Sequence, residues 1–514
     1  MLKPASIAAI FLVLAFCLQA FLAIPRLSAT VDEGIHIAAG YSYWQMRDFR
    51  MNPEHPPLAK LIAALPLTLL DPKLDTSGQE WAGAAEAPFG FNFLYRNETG
   101  RLLFWSRVPM VLIAALGAVV TFLWARGLFG NAAGLCALTM YAFCPNVLAH
   151  SMLVTTDVPL ATFTVLTLYL FWKQPPRRSW PSDAGVGLAL GAALATKFSG
   201  ALLPVLLTAF AGVRVWRSED RPAQARTEVR GLLIIAAASF MTIQASYLFS
   251  ASPLLYFRNA ALVNANHDPD YFSYLFDQLK QGGWWYYFLL AFAVKATMSL
   301  LIFIGIAALG TASGLKNQWG ESILTGTIVA YVAAISLFAH PLGLRYLLPV
   351  FPLLFVWVSR AVPDLVAAVP GIGGKAVIGA LLVWQAWAGL SAFPNYIPYF
   401  NEAAGGTAAG IDYLDDSNVD WGQALKDAAQ YVRDRGLDRV TMYSLSPVDN
   451  PPHYGLPPNL QTAQVPDLLL FKRPQPGVYI ISAHHVARMR QVDPAWRSYT
   501  PIDRIGGSLW VYSF

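Results

Sequence analysis

Long apolar runs separated by polar connectors make up most of the chain. A helix needs about 20 apolar residues to cross the hydrocarbon core of a bilayer, and many of these runs approach that length. The pattern predicts membrane-spanning helices at about 5–25, 105–124, 131–148, 155–172, 231–250, 286–310, 321–339, 345–360 and 375–393. Because the first run is long and no clear cleavage site follows it, we expect an uncleaved anchor rather than a signal peptide.

A different arrangement is expected for the apolar run 183–213, which has basic connectors on both sides. Three basic residues lie between 173 and 178, and five arginines lie between 214 and 230. Short basic loops stay in the cytoplasm, so this run has to enter and leave the membrane on the cytoplasmic face. We therefore predict two short helices that turn near residues 196–200, which places Lys197 deep in the molecule or near its outer face.

Three polar stretches are expected on the opposite, outer side of the membrane: the loops 27–104 and 249–285, and the tail 394–514. The first loop contains an apolar run from Leu58 to Leu70. This run is too short to span, and we expect it to lie in the membrane interface. The chain is thus expected to form a membrane domain over 1–393, which carries both loops, and an extracytoplasmic domain over the tail.

The tail combines a helical pattern with strand patterns. A helix is expected at about 421–435, and β-rich runs occur at Val440–Tyr443, Val478–Ile481 and Leu509–Tyr512. These patterns indicate a small α/β domain. The predicted fold class is therefore a polytopic α-helical membrane protein with about 11 membrane helices, two of them short, and a small α/β extracytoplasmic C-terminal domain.

The composition agrees with a membrane protein. The chain has 514 residues, of which 55% are hydrophobic and 13% are charged, whereas a soluble protein carries about 25% charged residues. These values exclude intrinsic disorder and disfavour a water-soluble enzyme. The small net charge of +5 argues against nucleic acid as a partner. The three cysteines, Cys17, Cys136 and Cys144, fall in apolar runs and indicate neither a disulfide framework nor a thiolate metal site.

The pair Asp32-Glu33 directly follows the first predicted span. A carboxylate at the edge of the membrane is partly desolvated, which raises its pKa and suits a general base that acts on a hydroxyl group. The alternative interpretation is a polar flank at the start of a helix, with Thr30 or Asp32 as the N-cap.

The segment Asn52-Pro53-Glu54-His55-Pro56-Pro57-Leu58 forms a second polar motif in the same loop. Its prolines stiffen the backbone, so that Glu54 and His55 are held in place. A fixed carboxylate and imidazole suit the orientation of a base or the binding of a cation, although two ligands alone do not make a metal site. A rigid turn before an interfacial helix explains the motif equally well.

Several charged residues are expected to converge at the outer membrane face. Asp157 follows an outer connector and either caps a helix or faces Lys197 or Arg345. Lys295 lies in an apolar helix near its outer end, where it contacts a ligand or snorkels to the interface. His340 and Arg345 flank a short outer turn, and an arginine there is suited to bidentate binding of phosphate.

These features together indicate a lipid-phosphate substrate. The cations would hold the phosphate, and the membrane helices would hold the lipid tail. The aromatic residues Trp284-Trp285-Tyr286-Tyr287 either anchor their loop at the headgroup level or face a sugar.

Four of these motifs resemble the protein O-mannosyltransferase family. They are the Asp32-Glu33 pair, the Glu54-His55-Pro56-Pro57-Leu58 loop, the segment from Pro145 to Pro159 with Asp157, and the Thr196-Lys197-Phe198-Ser199-Gly200 turn. The related aminoarabinose (lipid A) transferases share the general plan, and both groups have the membrane glycosyltransferase C superfold. The resemblance covers about residues 1–360. The segments Tyr399-Phe400-Asn401-Glu402 and Ser417-Asn418-Val419-Asp420-Trp421-Gly422-Gln423 resemble tails of bacterial members of this broad group.

The resemblance implies an inverting transfer of a sugar from a polyprenyl phosphate to an acceptor hydroxyl of a protein, lipid or glycan, on the extracytoplasmic side. It implies that Asp32, next to Glu33, is the catalytic base. It also makes Lys197, Lys295, Arg345 and His340 candidates for binding the donor phosphate. Glu54, His55 and Asp157 are candidates for a loop, acceptor or metal contact.

The cofactor is left open, since a divalent cation would fit but the sequence does not require one. The expected location is the bacterial inner membrane. The competing hypothesis is a transporter or lipid flippase for a polyprenyl-linked or other amphiphilic substrate. A transporter is expected to show paired internal repeats, which this sequence lacks.

Overall fold

Helices form most of the computed structural model, which describes residues 3–175, 178–250, 252–265, 271–310, 318–446, 449–457, 461–462 and 474–514. The helices of the first half are α1 (Pro4–Ala23), α2 (Val31–Met46), α3 (Leu58–Ala64), α4 (Gln79–Ala82), α5 (Glu86–Tyr95), α6 (Thr99–Phe129), α7 (Asn131–Ala142), α8 (Pro145–Ser151), α9 (Asp157–Trp172), α10 (Trp180–Leu194), α11 (Leu202–Arg217) and α12 (Arg221–Ser246). Those of the second half are α13 (Leu255–Ala265), α14 (Tyr287–Lys295), α15 (Met298–Leu309), α16 (Gln318–Phe338), α17 (Val350–Val358), α18 (Ala361–Ala368), α19 (Gly373–Ser391), α20 (Leu425–Asp434) and α21 (Ala483–Val492).

Among the described residues, six helices are long and apolar enough to cross a membrane, or up to eight if each of two bent pairs is one span. The six are Pro4–Arg26, Thr99–Phe129, Phe198–Arg217, Arg221–Ser246, Trp319–Phe338 and Val350–Ala368. The prediction of a polytopic helical membrane protein is confirmed at this level. Shorter apolar helices, among them α9, pack between these spans.

The single helix predicted over 286–310 is wrong, because α14 and α15 meet at 114°. The break lies between Lys295 and Met298. There the side-chain amide of Asn401 donates to the carbonyl oxygens of Ala293 and Ala296, at 2.7 and 2.8 Å. The hydroxyl of Thr297 accepts the backbone N–H of Leu300 at the start of α15. The predicted span 131–148 is likewise divided into α7 and α8, which are inclined at 61°.

The predicted turn at 196–200 is confirmed. Helix α10 ends at Leu194, a short 3₁₀ helix covers Phe198–Ala201, and α11 follows. The flanking connectors touch each other at the far end of this hairpin, where Arg178 forms an ion pair with Glu228 and Arg214 donates to Gln174 at 2.9 Å. Both connectors therefore lie on one side of the molecule, as the hairpin requires.

The first loop contains a helical layer formed by α2, α3 and α5. The apolar run predicted to be interfacial forms α3 and a 3₁₀ helix, Leu65–Leu69. A Cβ atom at Gly40 would overlap the carbonyl group of Lys60, so α2 packs backbone to backbone against α3. This close contact places the start of α2 beside the proline-rich motif that precedes α3.

A five-stranded sheet forms the centre of the tail. Its strands are β3 (Thr441–Tyr443), β4 (Gln461–Thr462), β5 (Val478–Ser482), β6 (Asp503–Ile505) and β7 (Leu509–Ser513), in the order β4-β3-β5-β7-β6. β3 is parallel to β4 and β5, whereas β7 is antiparallel to β5 and β6. The three predicted strands correspond to β3, β5 and β7. A separate hairpin in the second outer loop consists of β1 (Phe272–Leu275) and β2 (Gln278–Gln281).

The tail packs directly on the membrane helices. One hydrophobic core extends from Phe16 in α1 through Phe351 in α17 to Trp421 and Trp510 in the tail. A smaller core under α20 contains Met442, Ile480 and Val511, all fully buried. Side chains of the tail are therefore in position to contribute to a site at this end of the helices.

Candidate functional site

Two carboxylates and two cations from four distant parts of the chain form a connected cluster. A guanidinium nitrogen of Arg345 lies 3.0 Å from the carboxylate of Asp32 and 3.9 Å from that of Asp157. The ammonium of Lys197 lies 2.6 Å from the other oxygen of Asp157. The structure thus brings together four residues that the sequence marked separately, and we call them the ion-pair cluster.

Each member of the ion-pair cluster stands where a helix or turn begins or ends. Asp32 lies in the first turn of α2, and Asp157 is the first residue of α9. Lys197 precedes the 3₁₀ helix after α10, and Arg345 lies in a 3₁₀ helix before α17. The Asp32 side chain is 28% exposed, whereas Asp157 is 3% exposed. Asp32 is therefore the carboxylate of the cluster that an incoming molecule reaches more easily.

Glu33 is fully buried and points away from the cluster. Its two oxygens accept from Nε and Nη2 of Arg107, at 2.8 and 2.6 Å, and Arg107 is also fully buried. They also accept the backbone N–H groups of Thr30 and Val154. Burial raises the pKa of Glu33, but the charge and hydrogen bonds of Arg107 outweigh that effect and lower it below its ordinary value. Glu33 and Thr30 form a capping box, as the alternative interpretation of this segment anticipated for Thr30.

The proline-rich motif lies beside the cluster and is held by Lys60. The ammonium of Lys60 donates to the carbonyl oxygens of Asn52 and His55, at 2.7 and 2.8 Å, and to the hydroxyl of Tyr43 at 2.8 Å. Burial lowers the pKa of this lysine to about 7. The His55 ring lies 5.5 Å from the ring of His36, whose Nδ1 is 2.9 Å from the Val154 carbonyl oxygen. Glu54 shares this loop and is half-buried.

The environment of His55 disfavours its protonated form. Burial lowers its pKa well below the ordinary value, and nearby positive charges, including Lys197 and Arg345, act in the same direction. Within the described ranges, no group of three or more His, Cys, Asp or Glu residues is arranged to hold a metal ion.

Lys295 lies next to the tail and His340 lies next to the second outer loop, and neither belongs to the ion pairs described above. The ammonium of Lys295 donates to the carbonyl oxygens of Ile397 and Asn418, at 2.8 and 2.6 Å. The residue is only 3% exposed, so it does not snorkel to the interface. His340 is half-buried in the loop after α16, with its ring 6.5 Å from that of Tyr271.

Three residues that no predicted motif assigns to the site support the cluster: Lys60, Arg107 and Trp421. Lys60 and Arg107 are lone charges inside apolar runs, and that isolation is the signal that would have found them. Trp421 lies in the segment Ser417 to Gln423, which resembles the tails of bacterial members of this group but assigns the tryptophan no role. Its indole lies 4.3 Å from the Arg345 guanidinium carbon, and no local pattern indicates that contact.

An apolar groove lies along four helices next to the turn at 196–200. Its volume is about 720 Å³, and α10, α11, α12 and α13 supply almost all of its lining. Leu194 and Ala201, which belong to its lining, flank the turn that contains Lys197. The ring of Tyr256, also in the lining, packs 5.2 Å from the ring of Phe198, the residue after Lys197. The groove therefore reaches the turn that carries one cation of the cluster.

A comparison with known protein families matches part of the chain. Residues 99–244 match the family described as "Dolichyl-phosphate-mannose-protein mannosyltransferase". This match confirms the predicted resemblance. No curated protein is significantly similar to the chain in sequence.

Solved structures of similar architecture include ArnT from Cupriavidus metallidurans in the apo state. It is 14% identical, with a TM-score of 0.49 over 99% of this chain and 98% of that chain. ArnT bound to undecaprenyl phosphate is similar at 14% identity and a TM-score of 0.49, over 98% of this chain and 97% of that one. The archaeal oligosaccharyltransferase AglB from Archaeoglobus fulgidus, in complex with an inhibitory peptide and a dolichol-phosphate, is 12% identical, with a TM-score of 0.48 over 98% of this chain and 74% of that one.

Proposed function

We propose that the chain is an inverting glycosyltransferase that moves a sugar from a polyprenyl-phosphate donor to an acceptor hydroxyl at the outer face of the membrane. The observation that carries the proposal is the ion-pair cluster, whose Lys197 lies in a turn that an apolar groove reaches. The groove suits a lipid tail, the cations suit a phosphate, and Asp32 suits a base. The family match of residues 99–244 supports sugar transfer as the reaction.

In this reaction Asp32 takes the proton of the acceptor hydroxyl as the acceptor oxygen attacks the anomeric carbon. The bond between that carbon and the phosphate oxygen breaks, and the electron pair leaves with the lipid phosphate. Lys197 and Arg345 stabilise the charge that develops on the phosphate, so that the leaving group needs no proton. Asp157, which contacts both cations, holds them at the site.

The other predicted site residues receive supporting functions. Glu33 orients the start of α2 through Arg107, because its oxygens already accept five hydrogen bonds from the chain. Lys295 lies at the junction with the tail and His340 lies beside Tyr271 of the second outer loop. Both provide further positive charge or hydrogen bonds near the phosphate. Glu54 and His55 line the entrance for the acceptor or for a divalent cation.

The proposal also includes the number of membrane helices, the two domains and the location of the protein. The six long helices and two bent pairs, together with α9, α10 and α19, make about 11 membrane helices. The membrane domain then covers 1–393, and the tail forms an extracytoplasmic domain over 394–514. A bacterial inner membrane is the proposed location. No observation favours the transporter or flippase alternative.

The test is release of polyprenyl phosphate from polyprenyl-phosphate-linked mannose, glucose or arabinose by purified protein in detergent, with a membrane extract as the source of acceptors. Asp32→Asn retains the size of the side chain and removes the base, so we expect the rate to fall about 10²- to 10⁴-fold. The matched control is Asp48→Asn in the same loop, which loses only a surface pair with Arg50 and should retain the wild-type rate.

An Asp32→Asn variant that transfers sugar at the wild-type rate would contradict the assignment of the base. Wild-type protein that neither binds polyprenyl phosphate nor releases it from any of the three donors would contradict the proposed function.

A further inference from the structure

The tail reaches the ion-pair cluster through one aromatic residue. The Trp421 ring lies 4.3 Å from the Arg345 guanidinium carbon, and the residue is 4% exposed. The ring also packs edge-on against the His150 ring, with their centroids 5.8 Å apart. A guanidinium over an indole is attracted to the negative face of the ring, and the attraction grows as water is excluded.

The backbone around Trp421 is attached to the residues that precede Asp32. The carbonyl oxygen of Trp421 accepts the N–H of Val31 at 3.1 Å. The next two residues bind Ser28: its hydroxyl donates to the Gly422 carbonyl at 2.6 Å, and its N–H donates to the Gln423 carbonyl at 3.0 Å. One segment of the tail therefore holds both partners of the Asp32–Arg345 pair, Asp32 through the backbone and Arg345 through the ring.

Hydrogen bonds within the tail fix the conformation of the segment around Trp421. Asp420 is buried, and its carboxylate accepts the Ser482 hydroxyl at the end of β5 and the N–H of Gly422, at 2.6 and 3.0 Å. The side-chain oxygen of Gln423 accepts the N–H of Trp421 at 2.7 Å. These hydrogen bonds restrict the movement of the Trp421 ring, so the ring cannot follow Arg345 if the guanidinium moves away from the ring face.

A ring on the guanidinium face leaves the N–H edge of the arginine available. In this structure that edge donates to Asp32 at 3.0 Å. A phosphate bound between Lys197 and Arg345 would compete for the same edge, because guanidinium binds phosphate and carboxylate through the same donors. Rotation in the plane of the guanidinium keeps the indole contact while the N–H groups change partner.

We infer that Trp421 is a positioning residue of the transfer site. Its ring packs on the face of the Arg345 guanidinium and holds Arg345 in place. When donor phosphate binds, the N–H groups of Arg345 donate to the phosphate instead of to Asp32, and the Asp32 carboxylate becomes free to act as the base. The inference rests on the proposed function. It makes the tail a necessary part of the site, and it makes donor binding the event that activates Asp32.

The test is a double-mutant cycle on polyprenyl phosphate binding, measured in detergent by native mass spectrometry, with variants Trp421→Leu, Arg345→Ala and both together. We expect Trp421→Leu to weaken binding roughly 5- to 30-fold, the range of a buried cation–π contact. In the Arg345→Ala background the same change should have almost no effect, because the partner is gone. The KM for the donor should rise in parallel.

Equal loss of binding in both backgrounds would overturn the inference, since a merely structural tryptophan acts without Arg345. If Trp421→Leu does not fold, the cycle is run with Trp421→Phe, whose weaker ring face predicts a coupling of about two- to threefold. Absence of coupling there overturns the inference as well. Wild-type protein with no affinity for polyprenyl phosphate would instead contradict the proposed function.

Discussion

Two adjacent carboxylates at the start of α2 have opposite environments. Glu33 points into the protein and is fully enclosed, with Arg107 and two backbone N–H groups around it. Asp32 points to the half-exposed cluster and has Arg345 as its ion-pair partner. A carboxylate that already accepts several fixed hydrogen bonds is a poor base, because it must lose them to take a proton. The residue next to it, held in place but accessible, is the better base.

Replacement of Arg107 by methionine should destabilise the protein strongly, because it leaves Glu33 as a buried charge without its ionic partner. We expect a loss of about 3–5 kcal/mol in the free energy of unfolding. The control is Arg101→Met on the same helix, whose side chain is 56% exposed and pairs with Glu98. That change should cost about 1 kcal/mol or less. Thermal unfolding in detergent compares the two variants. Equal unfolding midpoints would show that the buried Arg107–Glu33 pair contributes no more to stability than the exposed Arg101–Glu98 pair.

At the scale of elements, the break between α14 and α15 joins the membrane helices to the tail. At the break, the carbonyl groups of Ala293 and Ala296 accept hydrogen bonds from the side-chain amide of Asn401 in the tail. Lys295, at the same break, donates in the opposite direction to carbonyl groups of the tail. The broken helix is therefore stable only while the tail is docked, since a bare break would bury unpaired polar groups.

Substitution of Asn401 by leucine should remove both bonds and leave the two carbonyl groups unsatisfied. Each buried unsatisfied group costs about 1–3 kcal/mol, so the variant should unfold at a clearly lower temperature. The control is Gln430→Leu on the exposed face of α20, where the side chain bonds only to its neighbours. An Asn401→Leu variant as stable as this control would mean that the tail does not support the break.

At the scale of the whole molecule, two charged regions lie at opposite ends of helix α10. Arg178 precedes the helix and pairs with Asp183 and Glu228, while Lys197 follows it and belongs to the ion-pair cluster. A helix of this length separates its ends by about 22 Å, which is a large part of the bilayer core. The region around Arg178 holds the two basic connectors together, whereas the region around Lys197 holds the proposed site.

Reporter fusions test this arrangement across the membrane. Fusions after Pro175 and after Pro222 should both report the cytoplasm, because the two basic connectors are in contact and basic loops are retained inside. A fusion after Asn450, in the tail, should report the outer side. Opposite results at the first two positions would contradict a hairpin of α10 and α11 that enters and leaves the membrane on the cytoplasmic face. A cytoplasmic result at Asn450 would place the proposed site on the cytoplasmic face instead of the outer face.

The sequence by itself determined the class of molecule. Runs of apolar residues identify membrane helices because the bilayer sets both their length and their composition. Clusters of β-branched and aromatic residues identify the strands β3, β5 and β7 because these residue types favour strands. Conspicuous charges such as Asp32, Asp157, Lys197 and Arg345 were also recognisable, since a charge at the membrane edge is costly without a function or a partner.

The tertiary structure alone decided which of these groups meet. The partners Asp32 and Arg345 are 313 positions apart, and Trp421 lies further along the chain. Contacts over such separations depend on how helices pack and where the tail docks, and local periodicity carries no information about either. The same reason explains the break at Lys295: a long apolar run indicates one continuous helix, and the amide of Asn401, which stabilises the bend together with the Thr297 cap, comes from the distant tail.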